Sequence, residues 1–121
     1  MGLLFKCHMC SYINEGTIVA GMILFEWDEA KAESNRRKHG VSFDLAVQVF
    51  DDPHGMAKQD RIEDGEPRWQ TIGMVEGVVV LLVGHTVQEE EFDEIIRIIT
   101  ARKATRKERE RYEENREKND D

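Results

Sequence analysis

The densest run of chemistry-bearing side chains lies between Arg97 and Arg111. There Arg97, Arg102, Lys103, Arg106, Lys107, Arg109 and Arg111 stand against two glutamates. Gathered arginines suit a phosphodiester, because each stays protonated and grips two phosphoryl oxygens at once. A second cluster, "EDGEPRW", sets Glu63, Asp64 and Glu66 beside Arg68, a carboxylate–cation arrangement that general acid–base chemistry uses. A third follows one helical stripe, Lys31, Asn35 and Lys38, with His39 just beyond. Each has a plainer reading: a solvated helix with internal Glu–Arg pairs, a charged turn, a polar helix face.

The 121-residue chain carries a formal charge of −8, so a polyanion is repelled unless cations are concentrated locally. The basic run provides that concentration. Its acidic partners lie late in the terminal helix. Arg102, Lys103, Arg106 and Lys107 precede that helix or open it, where cations oppose the helix dipole. Phosphate is one candidate for what favours them there.

Other chemistries lack their signatures. There is no G-x-x-x-x-G-K-[ST], H-E-x-x-H or G-x-S-x-G, and no carboxylate spacing that singles out a two-metal site. The pair Cys7 and Cys10 in "CHMC" has the spacing of a redox pair or half a zinc site, but no second pair accompanies it. An ordinary reduced pair is the favoured reading, with no metal and no cofactor. No apolar run approaches the roughly 20 residues of a membrane span.

The positioning elements follow from periodicity. Residues 1–21 are weakly patterned and read as an accessory extension or a mis-assigned start, with the domain occupying 22–121. "ILFEW" reads as a strand, and Asp28 caps a helix that runs to about Lys38 and stops at Gly40. Ser42 caps a second helix, "FDLAVQVF", with Phe43, Ala46, Val47 and Phe50 facing inward. "GMAKQD", "RWQTIGM" and "GVVVLLVGHTV" read as strands joined at "EDGEP" and "VEG". "QEEEFDE" reads as an acidic connector and "EIIRIIT" as the last strand. Alternation there sets Ile95, Arg97 and Ile99 on one face, leaving Arg97 either exposed on a sheet surface or presented to an anion. Thr105 and Glu108 form a capping box for a final helix to about Lys118, and the tail "NREKNDD" is expected to fray. The predicted class is α+β: an antiparallel sheet of three to four strands, two N-terminal helices and a C-terminal helix.

In order and spacing, "FEWDEAK", "NRRKHGVSF" and "IITARKATRKER" resemble the BrnT family, the toxin half of a bacterial type II toxin–antitoxin pair. The resemblance runs from about Met22 to Tyr112. It implies a RelE-like fold and a cytoplasmic, metal-independent endoribonuclease that inhibits translation and growth. It also implies neutralisation by a BrnA-like ribbon-helix-helix antitoxin, through which alone operator DNA is bound. By position, Arg68 and Arg102 match the family pattern, with Arg106 and Arg109 following; Arg97 is added from the strand alternation. The reaction uses the ribose 2′-OH as nucleophile, so it needs a base, cations for the phosphoryl charge and an acid for the 5′-oxygen. Glu66, His39 and Lys38 are the candidate bases, with Glu66 preferred for its place beside Arg68. Glu66, Arg68, Arg97 and Arg102 form the expected catalytic set. Lys31, Lys38, His39, Arg106, Arg109 and Tyr112 form the expected RNA-binding set. Two alternatives remain: a non-catalytic subunit that docks its antitoxin and tunes repression, and an interaction module for an acidic protein partner.

Overall fold

Asp28 ends a strand and starts a helix, and its carboxylate does the second job directly. Oδ1 accepts from the backbone N–H groups of Ala30 (2.8 Å) and Lys31 (3.2 Å), satisfying two orphan donors of the first turn. The helix ends eleven residues later at Gly40, whose φ of 72° is the left-handed C-cap conformation that glycine adopts without strain. In a computed structural model the backbone is described for residues 3–14, 17–91 and 93–118, with side chains from residue 23 onward. The elements are β1 (Leu3–Asn14), β2 (Thr17–Asp28), α1 (Glu29–His39), α2 (Phe43–Ala46) continued by a 3₁₀ turn (Val47–Asp51), β3 (Met56–Glu63), β4 (Glu66–Val75), β5 (Val79–Glu90), β6 (Asp93–Lys103) and α3 (Arg106–Lys118).

The class is α+β as expected, but the sheet is larger than three or four strands. Six strands run in the order β1-β2-β6-β5-β4-β3. All pairs are antiparallel except β2–β6, which is parallel because two helices and the meander separate those strands in the chain. Of the six, β1 comes from the N-terminal stretch that lacked a pattern and β2 is "ILFEW" extended back into it: the two form a hairpin paired over twelve residues, and β2 runs unbroken across residue 22. The side chains of Cys7, His8 and Cys10 in β1 lie outside the described residues. "QEEEFDE" is strand rather than connector, since β5 extends to Glu90 and β6 begins at Asp93. β6 likewise continues through Arg102 and Lys103, so these cations belong to a strand. The second helix is α-helical only to Ala46. Its 3₁₀ continuation, with three residues per turn, brings Val49 into the core, while Phe50 is half-buried. α3 ends at Lys118, as expected, so the part of "NREKNDD" up to Lys118 is helical.

Each face of the sheet has its own apolar cluster. Phe25, Trp27, Leu81, Val83, Ile96, Ile98 and Ala101 pack against Val41, Phe43, Ala46, Val47 and Val49 beneath α1 and α2. On the other face Ile72, Val80 and Leu82 meet Ala104 and Tyr112 of the α3 segment. These two are the residues at that end that periodicity left with anything to bury. The capping box closes as expected: Thr105 N–H donates to Glu108 Oε1 (2.8 Å) and Glu108 N–H to Thr105 Oγ1 (3.3 Å).

β6 is irregular. Thr100 pairs with Gly84 and Ile98 with His85, so Ile99 is an extra residue, a β-bulge. Beyond it the alternation inverts. Ile96, Ile98 and Ala101 face α1, whereas Arg97, Thr100 and Arg102 lie opposite Thr86, Gly84 and Leu82 on the α3 face. Gly84 makes room for it, because a Cβ there would stand 2.6 Å from Thr100 Oγ1.

Asn35, read from sequence as part of a polar stripe, instead holds α1 on the sheet. Its Nδ2 donates to the carbonyls of Ala101 (2.8 Å) and Val41 (3.1 Å), and its Oδ1 accepts from Ala101 N–H (3.1 Å), all buried. An apolar replacement strands three backbone groups away from water. Asn35→Leu is therefore expected to lower stability by about 2–4 kcal/mol, read as a lower urea midpoint with an unchanged m-value.

Candidate nucleic-acid interface

Residues directly opposite each other on neighbouring strands share a face, so register alone shows which side chains meet. On the α3 face one row crosses five strands. Glu26 on β2 is opposite Arg97 on β6, which is opposite Thr86 on β5. Arg68 on β4 follows, one step beyond the Trp69–His85 pair, and is opposite Arg61 on β3. A second row reads Thr100, Gly84, Gln70, Lys58, and a third reads Arg102, Leu82, Ile72, Met56. Arg68, Arg97 and Arg102, drawn from separate parts of the chain, thus stand on one face. Lys58, Arg61 and Gln70 join them, although they were not among the expected residues. The alternation of "MAK" and "EPRWQTI" carried that signal, which a search for charge clusters passes over.

Carboxylates aim these cations. Glu108 accepts from Arg102 through both oxygens, at 2.8 and 3.0 Å. These hydrogen bonds outweigh burial and, with the Thr105 amide, hold the Glu108 carboxyl down at about 2. The acidic partner of Arg102 therefore lies in the first turn of α3, and the dipole argument for an unpaired cation there does not stand. Arg97 Nε donates to Glu26 Oε1 at 3.0 Å across the parallel pair. Glu63 Oε2 lies 3.5 Å from Arg68 Nη2 and 3.6 Å from Arg61 Nη2, a loose arrangement between two like charges. Arg68 Nε is buried without a hydrogen-bond partner among the described residues. Glu66 is exposed at the β3–β4 hairpin opposite Glu63 and shares the face of Arg68. The hairpin turn at Asp64 and Gly65 has φ of 52° and 78°, the type I′ geometry that fits the strand twist.

Between these rows and α3 lies a groove of about 290 Å³, floored by Met56, Ile72 and Leu82 and edged by Lys58, Gln70, Glu108 and Arg111. The remaining expected residues lie elsewhere. Lys31, Lys38 and His39 are on α1, which packs on the opposite face through Asn35. Arg106 and Arg109 are exposed on α3, Arg106 pairing with Glu110 at 3.3 Å. Tyr112 is buried, and its hydroxyl donates to Asp52 Oδ2 at the end of the 3₁₀ turn. Burial and that contact push the Tyr112 hydroxyl up to about 12. Burial alone would raise Asp52, but donors from Met74 N, Tyr112 and His54 N hold it below the usual carboxylate value. Tyr112 thus pins α3 to the domain.

A second cavity of about 380 Å³ opens on the α1 and α2 face, lined by Phe50, Asp52, Trp69, His85, Glu89 and Glu94 among others. Its carboxylates repel phosphate. Burial pushes His85 down to about 4, partly offset by the Thr86 carbonyl. The ring is neutral at pH 7, 2.7 Å from Thr71 Oγ1 and edge-on to Phe50. Among the described residues no group of three His, Cys, Asp or Glu is arranged to hold a metal ion.

The Arg102–Glu108 pair has a pH signature. The folded carboxyl titrates below its ordinary value, so its stabilisation is complete above pH 4.5 and disappears as pH falls through about 2. Gln at 108 keeps the capping acceptor and removes the charge. Glu108→Gln is expected to cost about 1–2 kcal/mol at pH 7, allowing for solvent screening of the partly exposed guanidinium. In urea titrations the difference from wild type should shrink steadily from pH 4.5 downward.

Comparison with known proteins adds the family. No curated protein matches the chain. The 1.1 Å crystal structure of the Brucella abortus ribonuclease toxin BrnT is similar, with 27% identity and a TM-score of 0.47 over 66% of this chain and 94% of that one. The family model described as the ribonuclease toxin BrnT of type II toxin–antitoxin systems matches residues 27–108. With more than half of the chain matched, the protein belongs to the BrnT family.

Proposed function

We propose that the chain is a metal-independent endoribonuclease toxin that binds RNA across the α3 face of its sheet and arrests translation. The observation that carries this reading is the cationic row: Arg61 directly opposite Arg68, with Arg97 in line beyond Thr86. Glu63 lies loosely between Arg61 and Arg68 and Asp60 also pairs with Arg61, yet the row still sets three guanidinium groups along one face, the arrangement that grips a phosphodiester backbone.

The chemistry follows from the groups at hand. A carboxylate at the hairpin, Glu66, takes the proton of a ribose 2′-OH as its oxygen attacks the adjacent phosphorus. Arg68, Arg97 and Arg102 balance the charge that grows on the non-bridging oxygens. The P–O5′ bond breaks, the 5′-oxygen takes up a proton, and the products are a 2′,3′-cyclic phosphate and a 5′-hydroxyl. The family implies an antitoxin partner. We read it as a BrnA-like ribbon-helix-helix protein that covers this same face and alone contacts operator DNA. Residues 1–21 are then an accessory extension or a mis-assigned start, one whose hairpin continues the sheet of a toxin domain spanning 22–121.

Purified toxin is expected to cut single-stranded RNA in excess chelator and leave cyclic phosphate ends. Arg68→Ala and Arg102→Ala should each lower the rate about 100-fold, the scale for losing one charge-stabilising donor. A chelator-dependent activity, or variants as fast as wild type, would contradict the mechanism. Silent wild-type protein that still binds its antitoxin would favour the docking-subunit alternative.

A further inference from the structure

The groove beside α3 contains more than a phosphate site requires. Its floor is apolar, with Met56 half-buried and Ile72 and Leu82 mostly buried. At its edge the amide of Gln70 and the cations of Lys58 and Arg111 have no hydrogen-bond or ion-pair partner among the described residues. Glu108 shares that edge but is bound to Arg102, which leaves an apolar floor with a few polar groups free at the rim, the usual make-up of a small-molecule subsite. At about 290 Å³ it lies at the small end of such clefts, room for one nucleotide unit rather than two.

We infer that this groove is a base-recognition subsite for guanine, adjoining the arginine row that holds the RNA backbone. The inference rests on the ribonuclease reading above. Lys58 and Arg111 can only donate, so the base edge turned toward them must accept. Guanine does so through O6 and N7, the commonest partners of Lys and Arg on a base. Adenine and cytosine would turn an amino group toward a cation, which is repulsive. Gln70 supplies the missing acceptor: its carbonyl receives N1–H and the 2-amino group of guanine, whereas uracil, with N3–H beside O4 but no 2-amino group, offers only the first. The flat base covers Ile72 and Leu82, while its phosphate reaches toward Arg68 in the neighbouring row.

The test titrates the four nucleoside 3′-monophosphates, with inorganic phosphate as control, into isotope-labelled toxin and follows the backbone amides of Met56–Lys58 and Gln70–Ile72. Guanosine 3′-monophosphate is expected to bind about tenfold more tightly than the adenosine form, a single base contact's worth. Gln70→Leu should bring that ratio to about twofold or less. Gln70→Glu, which keeps the acceptor, should preserve or widen it. Equal binding of all four nucleotides, phosphate binding as tightly as any of them, or an unchanged ratio in Gln70→Leu overturns the subsite. Cleavage of RNA by the same preparation is scored separately. A nuclease without the guanine preference refutes only this inference, whereas a guanine-binding protein that cuts nothing refutes only the reading beneath it.

Discussion

Arg97 and Arg102 are five residues apart on one strand, and in a regular strand an odd separation places side chains on opposite faces. The bulge at Ile99 removes that conflict. One extra residue opposite the Gly84–His85 step turns Arg102 onto the face of Arg97, and it keeps Ile98 and Ala101 together in the core on the other side. Gly84 allows the distortion, since any side chain there meets Thr100. Ala101 is also where Asn35 ties α1 to the sheet, so the same short stretch sets the cationic face and anchors the opposite layer. Bulges commonly re-aim side chains near functional sites. Here the bulge gathers cations that the chain would otherwise split between two sides.

Concentrated positive charge in an acidic protein then has to be held still. Glu26, Glu63 and Glu108 each hold an arginine of the face: Arg97, Arg68 and Arg102 respectively. The looser pairs of Arg97 and Arg68 add little stability. Their value is positional, because a guanidinium already aimed loses less freedom when phosphate arrives. Glu108 is the most committed of the three. It caps α3, clamps Arg102 and lines the groove, so helix start, cation and cleft are one construction. Tyr112 on Asp52 fixes the other end of the contact, and α3 is held despite having almost no apolar stripe.

Local signals in the sequence were reliable where one residue decides a local geometry. Asp28, Gly40, Ser42 and the Thr105–Glu108 box each cap as their types require. The meander and both its tight turns were legible from alternation and "DG" and "EG". Three things were not. β1 and the start of β2 lack strong period-2 patterning, so the hairpin and the parallel β2–β6 pairing had no local signature. The bulge depends on what lies across from Ile99, a fact about β5. For the same reason the side of the sheet that α1 takes was not legible. Lys31, Lys38 and His39 resemble a basic site until Asn35 turns inward and places that helix behind the sheet, away from the arginines. Charge clustering found the arginines of the face and overlooked Lys58 and Gln70, whose place on that face appears only when register sets them beside Arg102 and Arg68.

The central claim is that RNA meets the α3 face and not α1. Lysines mark the two faces: Lys58 belongs to the first, Lys31 and Lys38 to the second. Acetylation of the toxin by an amine-reactive reagent, read by mass spectrometry with and without a 2′-O-methylated RNA that cannot be cut, separates them. RNA is expected to protect Lys58 while Lys31 and Lys38 react as before. Protection of Lys31 and Lys38 with Lys58 still reactive would contradict it.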